Sequence, residues 1–145
     1  MALHSLISWS VSPQFIEETP VMRLENIMKT DIVTTFASET AEGAFKLMQM
    51  KRCHHLIVVG DEGVVGIVSE RDLGGPHGEA LRQGKTVADL MAQDIVTADV
   101  STSLHEAAEL MRGNSIGCLP IMEDGSLRGI ITVTDLLKIL AGSSE

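Results

Sequence analysis

The sequence predicts an α+β fold in which one strand-helix-strand-strand-helix unit occurs twice, the copies packing about a pseudo-twofold axis. Three observations predict it. Met28-Lys29-Thr30-Asp31-Ile32-Val33-Thr34 returns as Met91-Ala92-Gln93-Asp94-Ile95-Val96-Thr97, and Gly66-Ile67-Val68-Ser69-Glu70-Arg71-Asp72 returns as Gly129-Ile130-Ile131-Thr132-Val133-Thr134-Asp135. Both recurrences fall at an offset of 63, and 15 of the 46 positions from Met28 to Leu73 are identical at that offset. Between the two motifs each copy carries the same succession of helix-period and strand-period apolar residues. A two-copy repeat implies similar units that bury each other's apolar faces, with clefts on the axis between them.

Residues 1–20 precede the repeat. Leu3, Leu6, Ile7, Trp9 and Val11 make this stretch apolar, Pro13 and Pro20 punctuate it, and it reads as an arm that covers a groove or a partner subunit. The chain then divides into the arm (1–21), a first repeat (22–75), a connector (76–82), a second repeat (83–140) and a tail (141–145). Each repeat opens on a β-branched run, Ile32-Val33-Thr34 or Ile95-Val96-Thr97, which predicts a brief strand. Ala41, Ala44, Phe45 and Met48 follow at helical spacing, matched by Leu104, Ala107, Ala108 and Met111. Ser103 with Glu106 reads as a capping box at the second of these helices. Strands follow over residues 55–59 and 64–69, and over 118–122 and 127–132. The hairpin turns Gly60-Asp61-Glu62-Gly63 and Glu123-Asp124-Gly125-Ser126 join them. A last helix is expected to start at Ser69 and at Thr132, with Gly74-Gly75-Pro76-His77-Gly78 as a breaker that ends the first copy. Hairpin pairing plus one crossover gives each copy a small mixed sheet with its helices on one face.

At 145 residues the chain suits one compact domain or two small ones fused into one core. With 44% hydrophobic but only 3% aromatic residues, that core is built from aliphatic side chains and methionine. Most of the eight methionines fall at core-facing helix positions and read as packing material. A net charge of −9 without any basic run argues against a nucleic-acid polymer as partner. A small anion stays compatible, because backbone amides and one or two local cations suffice to hold it. Cys53 and Cys118 match neither a disulfide framework nor a zinc motif and read as buried thiols of a reducing compartment. No apolar stretch reaches the ~20 residues of a membrane span. The first residues make a poor signal peptide, so a cytoplasmic location is expected.

The sharpest chemical pattern is Gly-hydrophobic-x-Ser/Thr-x-x-Asp, at Gly66 to Asp72 and at Gly129 to Asp135. Read structurally, Ser69 or Thr132 caps a helix whose third residue is the Asp. Read functionally, the hydroxyl and free amides hold phosphate, the Asp accepts the vicinal hydroxyls of a ribose, and the Gly lets a ligand approach the strand. Doubling at one offset favours the functional reading. Cys53-His54-His55 does not read as a metal site, since successive strand residues face opposite ways. Neither cysteine has an evident base, so no enzyme is expected. His4, His77 and His105 read as solvated.

Two units that each hold a "DIVT" strand and close on "GIVSERDL" or "GIITVTDLL" resemble a pair of CBS (cystathionine β-synthase) domains, a Bateman module, over roughly residues 22–140. The resemblance implies a regulatory module that binds an adenosyl ligand (AMP, ADP, ATP or S-adenosylmethionine) between the repeats and passes occupancy on by a shape change. It also implies a homodimer and an effector protein whose identity the sequence does not give. Carried over by position, one site combines Val33, Cys53, His54 and His55 with Ile130, Thr132, Thr134 and Asp135. The other combines Val96, Ile116, Gly117 and Cys118 with Ile67, Ser69, Arg71 and Asp72. His54 and Arg71 are the expected phosphate cations, one in each cleft, and Thr134 and Val133 supply none beside Asp135. With a single cation per cleft, AMP or ADP is favoured over ATP. The alternative is a structural dimerisation module whose sites have decayed.

Overall fold

A computed structural model describes residues 21–142. The apolar segment 3–11, His4 and residues 143–145 lie outside the described residues. The chain runs through β1 (Thr34–Phe36), α1 (Ala41–Lys51), β2 (His55–Gly60), β3 (Gly63–Ser69), the short α2 (Glu79–Arg82) and α3 (Val87–Leu90), then β4 (Ala98–Asp99), α4 (Leu104–Asn114), β5 (Cys118–Glu123), β6 (Ser126–Thr132) and α5 (Val133–Leu140). Each copy forms a three-stranded mixed sheet, β1-β2-β3 and β4-β5-β6, with the first pair parallel and the second antiparallel.

The offset of 63 seen in the sequence is also the offset of the hydrogen-bond registers. Thr35 pairs with Val58 as Ala98 pairs with Ile121, and His55 pairs with Ser69 as Cys118 pairs with Thr132. The helices follow the predicted spacing: Ala41, Ala44, Phe45 and Met48 of α1 are buried, as are Ala107 and Met111 of α4. Thr40 caps α1 by accepting from the Gly43 N–H, and Ser103 with Glu106 forms the expected capping box of α4. Arg52 and Ser115, equivalent positions, end these helices in the left-handed conformation at φ 57° and 55°. Of the methionines, Met48 and Met111 are core residues, whereas Met50 on α1 is 74% exposed.

Two expectations need correction. First, the β-branched runs lead into the opening strands instead of forming them: the ladders begin at Thr34 and Ala98. Val33 and Val96 pack against their own cores before the ladders start. The second ladder is also a residue shorter, because Ile57 donates its N–H to the Val33 carbonyl whereas its counterpart Pro120 has no N–H to give. Second, the closing helix exists only in the second copy. After Ser69 the chain makes a single turn, then a 3-10 turn Gly75–His77, because Gly74 (φ 87°) and Gly75 (φ 70°) take conformations that leave the helix and Pro76 blocks its return.

The sequence pattern does not reveal the short turns in front of each repeat, a 3-10 turn Leu24–Asn26 and α3. These leading turns are exchanged. Leu24 is fully buried in the second copy's core, beside Ile27 and Met28, and Val87 is fully buried in the first copy's core, beside Leu90 and Met91. Backbone bonds hold each in place. The Leu24 N–H donates to the Thr102 carbonyl at 2.9 Å, and the Val87 N–H to the Glu39 carbonyl at 2.8 Å. Each core is therefore completed by the other copy's leader, which ties the halves together.

Candidate functional site

The closing motif makes the same pair of hydrogen bonds in both copies. The Asp135 N–H donates to Thr132 Oγ1 at 3.2 Å while the Thr132 N–H donates to Asp135 Oδ2 at 2.9 Å, and this box heads α5. The Asp72 N–H donates to Ser69 Oγ at 3.0 Å and the Ser69 N–H to Asp72 Oδ2 at 2.9 Å. The helix-start bonds form even where only one turn comes after them. They engage one oxygen of each carboxylate and leave Oδ1 for another partner.

The glycine of the motif does not serve the approach of a ligand. A Cβ on Gly129 would lie 2.7 Å from the Lys29 carbonyl oxygen and 2.6 Å from Met28 Sδ. On Gly66 it would lie 2.8 Å from both the Ala92 carbonyl oxygen and Met91 Sδ. The exchanged leaders run on as antiparallel bridges, Lys29 to Ile130 and Ala92 to Ile67, and fill the space that the missing side chain leaves. Ile130 and Ile67 are thereby tied by backbone bonds to the opposite copy's leader.

This bridge brings in a residue that the sequence reading did not select. Lys29 reaches Asp135, with Nζ 3.1 Å from Oδ1, while the Asp135 side chain is only 10% exposed. Lys29 also lies within electrostatic reach of Cys53 in the first copy and Cys118 in the second. The cation beside Asp135 thus comes from the leader, not from position 133 or 134. The signal was in the alignment of the copies, where Lys29 stands opposite Ala92.

A second crossing involves His55. Its Nε2 lies 3.6 Å from where a Gly117 side chain would begin, and its ring lies within electrostatic reach of Asp72. His55, placed by position with Asp135, therefore lies beside Gly117, a member of the other predicted set. Burial lowers the His55 pKa, with His54 adding to the lowering and Asp72 opposing it. At the equivalent position Cys118 is pushed up to about 12, mainly by burial and then by Asp135, with Lys29 working the other way. Burial also raises the Cys53 thiol. All three groups are held neutral at pH 7, which excludes a ready thiolate.

The remaining predicted residues are less converged. His54 turns to its own copy, with Nδ1 2.6 Å from Glu70 Oε1. Thr134 and Arg71 are exposed, and Ile116 packs against the second core. A hollow of about 640 Å³ opens beside Thr40, Glu42, Arg82 and Lys85, and one of about 240 Å³ beside Phe45, Arg52, Cys53 and His54. Neither contains Asp72 or Asp135. Among the described residues no group of three or more His, Cys, Asp or Glu side chains is placed to hold a metal, and no helix is long and apolar enough to cross a membrane.

Two sheet-and-helix repeats with exchanged leaders and a hydroxyl–carboxylate pair in each define a tandem module whose seam is its distinctive surface. The sequence profile of the CBS domain matches residues 24–73 and 87–142, and the chain belongs to the CBS-domain family. It is similar to the inosine-5'-monophosphate dehydrogenase of Thermoplasma acidophilum, 36% identical over 118 residues that make up 81% of this chain and 23% of that enzyme. It is also similar to the uncharacterized protein MK0525 of Methanopyrus kandleri, 32% identical over 120 residues, 78% of this chain and 60% of that protein. The chain spans about a quarter of the length of the dehydrogenases it matches. Among solved structures, the CBS domain pair of protein MJ0100, in complex with 5'-methylthioadenosine and S-adenosyl-L-methionine, superposes with a TM-score of 0.76 at 24% identity, covering 85% of this chain and 98% of that one. A hexameric CBS-CP12 protein from bloom-forming cyanobacteria superposes with a TM-score of 0.73 at 28% identity, covering 82% and 68%. CBS pairs are known as regulatory ligand-binding modules.

Proposed function

We propose that this CBS pair is a regulatory sensor of an adenosyl ligand, held where the copies meet and read out by a change in how they sit on a partner or on a second copy. The observation that carries the reading is the doubled hydroxyl–carboxylate pair beside the seam. Each carboxylate spends Oδ2 on its cap; Asp135 Oδ1 is engaged by Lys29, while Asp72 Oδ1 has no partner among the described residues, and a ribose diol is the neutral group best matched to such an acceptor. The adenosyl compounds bound by the MJ0100 pair support the ligand class. AMP and ADP suit an acidic protein whose Arg71 is the exposed cation next to Asp72. S-adenosylmethionine, a sulfonium cation, suits the same acidic surroundings.

A homodimer is part of this reading. Val133, Leu137 and Leu140 line one side of α5 and are 41%, 60% and 80% exposed, an apolar stripe that a second copy would cover. A ligand moves such an assembly only by its differential affinity for two arrangements.

The test is thermal unfolding of the full chain with AMP, ADP, ATP and S-adenosylmethionine in turn. At a hundredfold excess over Kd the native state gains ~2.7 kcal/mol, a rise of several degrees for a chain of this size. A melting point unmoved by all four compounds leaves the structural dimerisation module as the better description.

A further inference from the structure

We propose that Lys29 closes the Asp135 cleft to a ribose, so that one chain takes a single adenosyl ligand, at the Asp72 cleft. The inference rests on the sensor reading above and assigns its site.

The acceptors of the two carboxylates are differently employed. Asp135 Oδ2 accepts twice from Thr132, from its N–H and its hydroxyl, both at 2.9 Å, and Oδ1 is ion-paired with Lys29 at 3.1 Å. A diol arriving there has to displace an ammonium from a carboxylate that is 10% exposed, and it meets a threonine hydroxyl whose proton is already committed. Displacing a charged partner from a carboxylate is the costly exchange, since charge-assisted bonds are the strong ones. Among the described residues Asp72 Oδ2 accepts only from the Ser69 N–H, and Ser69 Oγ accepts from the Asp72 N–H without donating to any of them. The residue equivalent to Lys29 is Ala92, which carries no charge. Arg71, next to Asp72, is exposed and makes no ion pair among the described residues, which suits it to a phosphate group.

Lys29 is also kept in place. Its N–H donates to the Ile130 carbonyl and its carbonyl accepts the Ile130 N–H, both at 2.9 Å, which fixes the backbone from which the side chain reaches Asp135. Gly129 permits that approach, and Gly66 permits the same one for Ala92. The two closing motifs thus share one frame, in which Lys29 stands opposite Ala92 and Arg71 opposite Thr134.

Calorimetric titration of the full chain with AMP, and separately with S-adenosylmethionine, tests the assignment in the wild type, Asp72→Asn, Asp135→Asn, Lys29→Ala and Ala92→Lys, with melting curves confirming that each is folded. The expected stoichiometry is one per wild-type chain, none for Asp72→Asn, one for Asp135→Asn and two for Lys29→Ala. Ala92→Lys installs the missing cation, and binding weakens by about tenfold or more. Two equal sites in the wild type, or weaker binding in Lys29→Ala, overturn the assignment while leaving the sensor reading intact. An absence of binding heat in every variant with both compounds overturns the sensor reading, and the assignment falls with it.

Discussion

The two copies share their hairpins pair for pair, differ by one residue in the opening ladder and part company at their ends. The second copy closes on α5, eight residues long and headed by a full capping box. The first makes the same cap bonds at Ser69 and Asp72 yet yields one turn before Gly74 and Gly75 turn the chain away. A cap therefore starts a helix without guaranteeing one; the residues after the first turn decide. Where a continuing helix would supply an amide to the Leu73 carbonyl, the first copy supplies a guanidinium. Arg82 is 2% exposed, and its Nη1 donates to the Leu73 carbonyl at 2.8 Å and the Gly75 carbonyl at 2.7 Å. Its Nε donates to Glu42 at 2.7 Å, and its plane lies 3.7 Å from the centre of the Phe45 ring. One buried side chain ties the interrupted end to α1.

Removing that side chain is the most severe way to separate the copies. Arg82→Met keeps much of the volume but leaves two carbonyls and a carboxylate without their donor, and a cation–π contact is lost as well. A loss of about 3 kcal/mol is expected, read as a fall in the urea midpoint and roughly 10 °C in melting temperature. Arg82→Lys should recover only a part, since an ammonium cannot reproduce the fork that spans Glu42 and both carbonyls. A melting point that Arg82→Met leaves unchanged would mean that the first copy's end contributes nothing to the fold.

The exchanged leaders give the next effect in size, and here the copies should behave alike. Gly66→Ala and Gly129→Ala each push a methyl group against a backbone carbonyl of the opposite leader, where no side-chain rotation relieves the contact. Overpacking of this kind costs about 1–3 kcal/mol. Similar losses in the two variants, measured by denaturant unfolding, would confirm that both bridges carry load. A loss confined to one variant would show that only one leader is firmly seated.

The legibility of each feature in the sequence depends on the range of the interaction behind it. The helix spacing of Ala41, Ala44, Phe45 and Met48, the cap at Ser103 and the two hairpin turns are local, and the structure has them where the pattern puts them. Leu24 and Val87 carry no local sign of which core they enter, because the choice is made by the far end of the chain. The family resemblance supplied the clefts, and the repeat itself displayed the Lys29–Ala92 difference. The meaning of that difference depended on the exchange that brings Lys29 to Ile130 and Asp135. The glycine of the closing motif was read for its freedom to admit a ligand, when the chain's own backbone is the visitor.

The smallest effect separates the copies by charge. His55 and Cys118 are equivalent residues at the starts of β2 and β5, and burial moves them in opposite directions to the same end, an uncharged group. For His55 the folded pKa lies below the unfolded value of 6.5, so between those two values the unfolded chain binds the extra proton. Stability then rises with pH through that window and is lost as the pH falls below about 6.5. Cys118 contributes nothing there, since its thiol stays protonated in both states. The carboxylates with lowered values, Asp89, Asp99 and Glu109, act only at lower pH, below the ordinary carboxylate range. Urea midpoints taken between about pH 7.5 and pH 5.5 should therefore fall more for the wild type than for His55→Gln. If His55→Gln and the wild type lose stability in parallel, the seam histidine is not the group that titrates, and the copies do not differ in this respect.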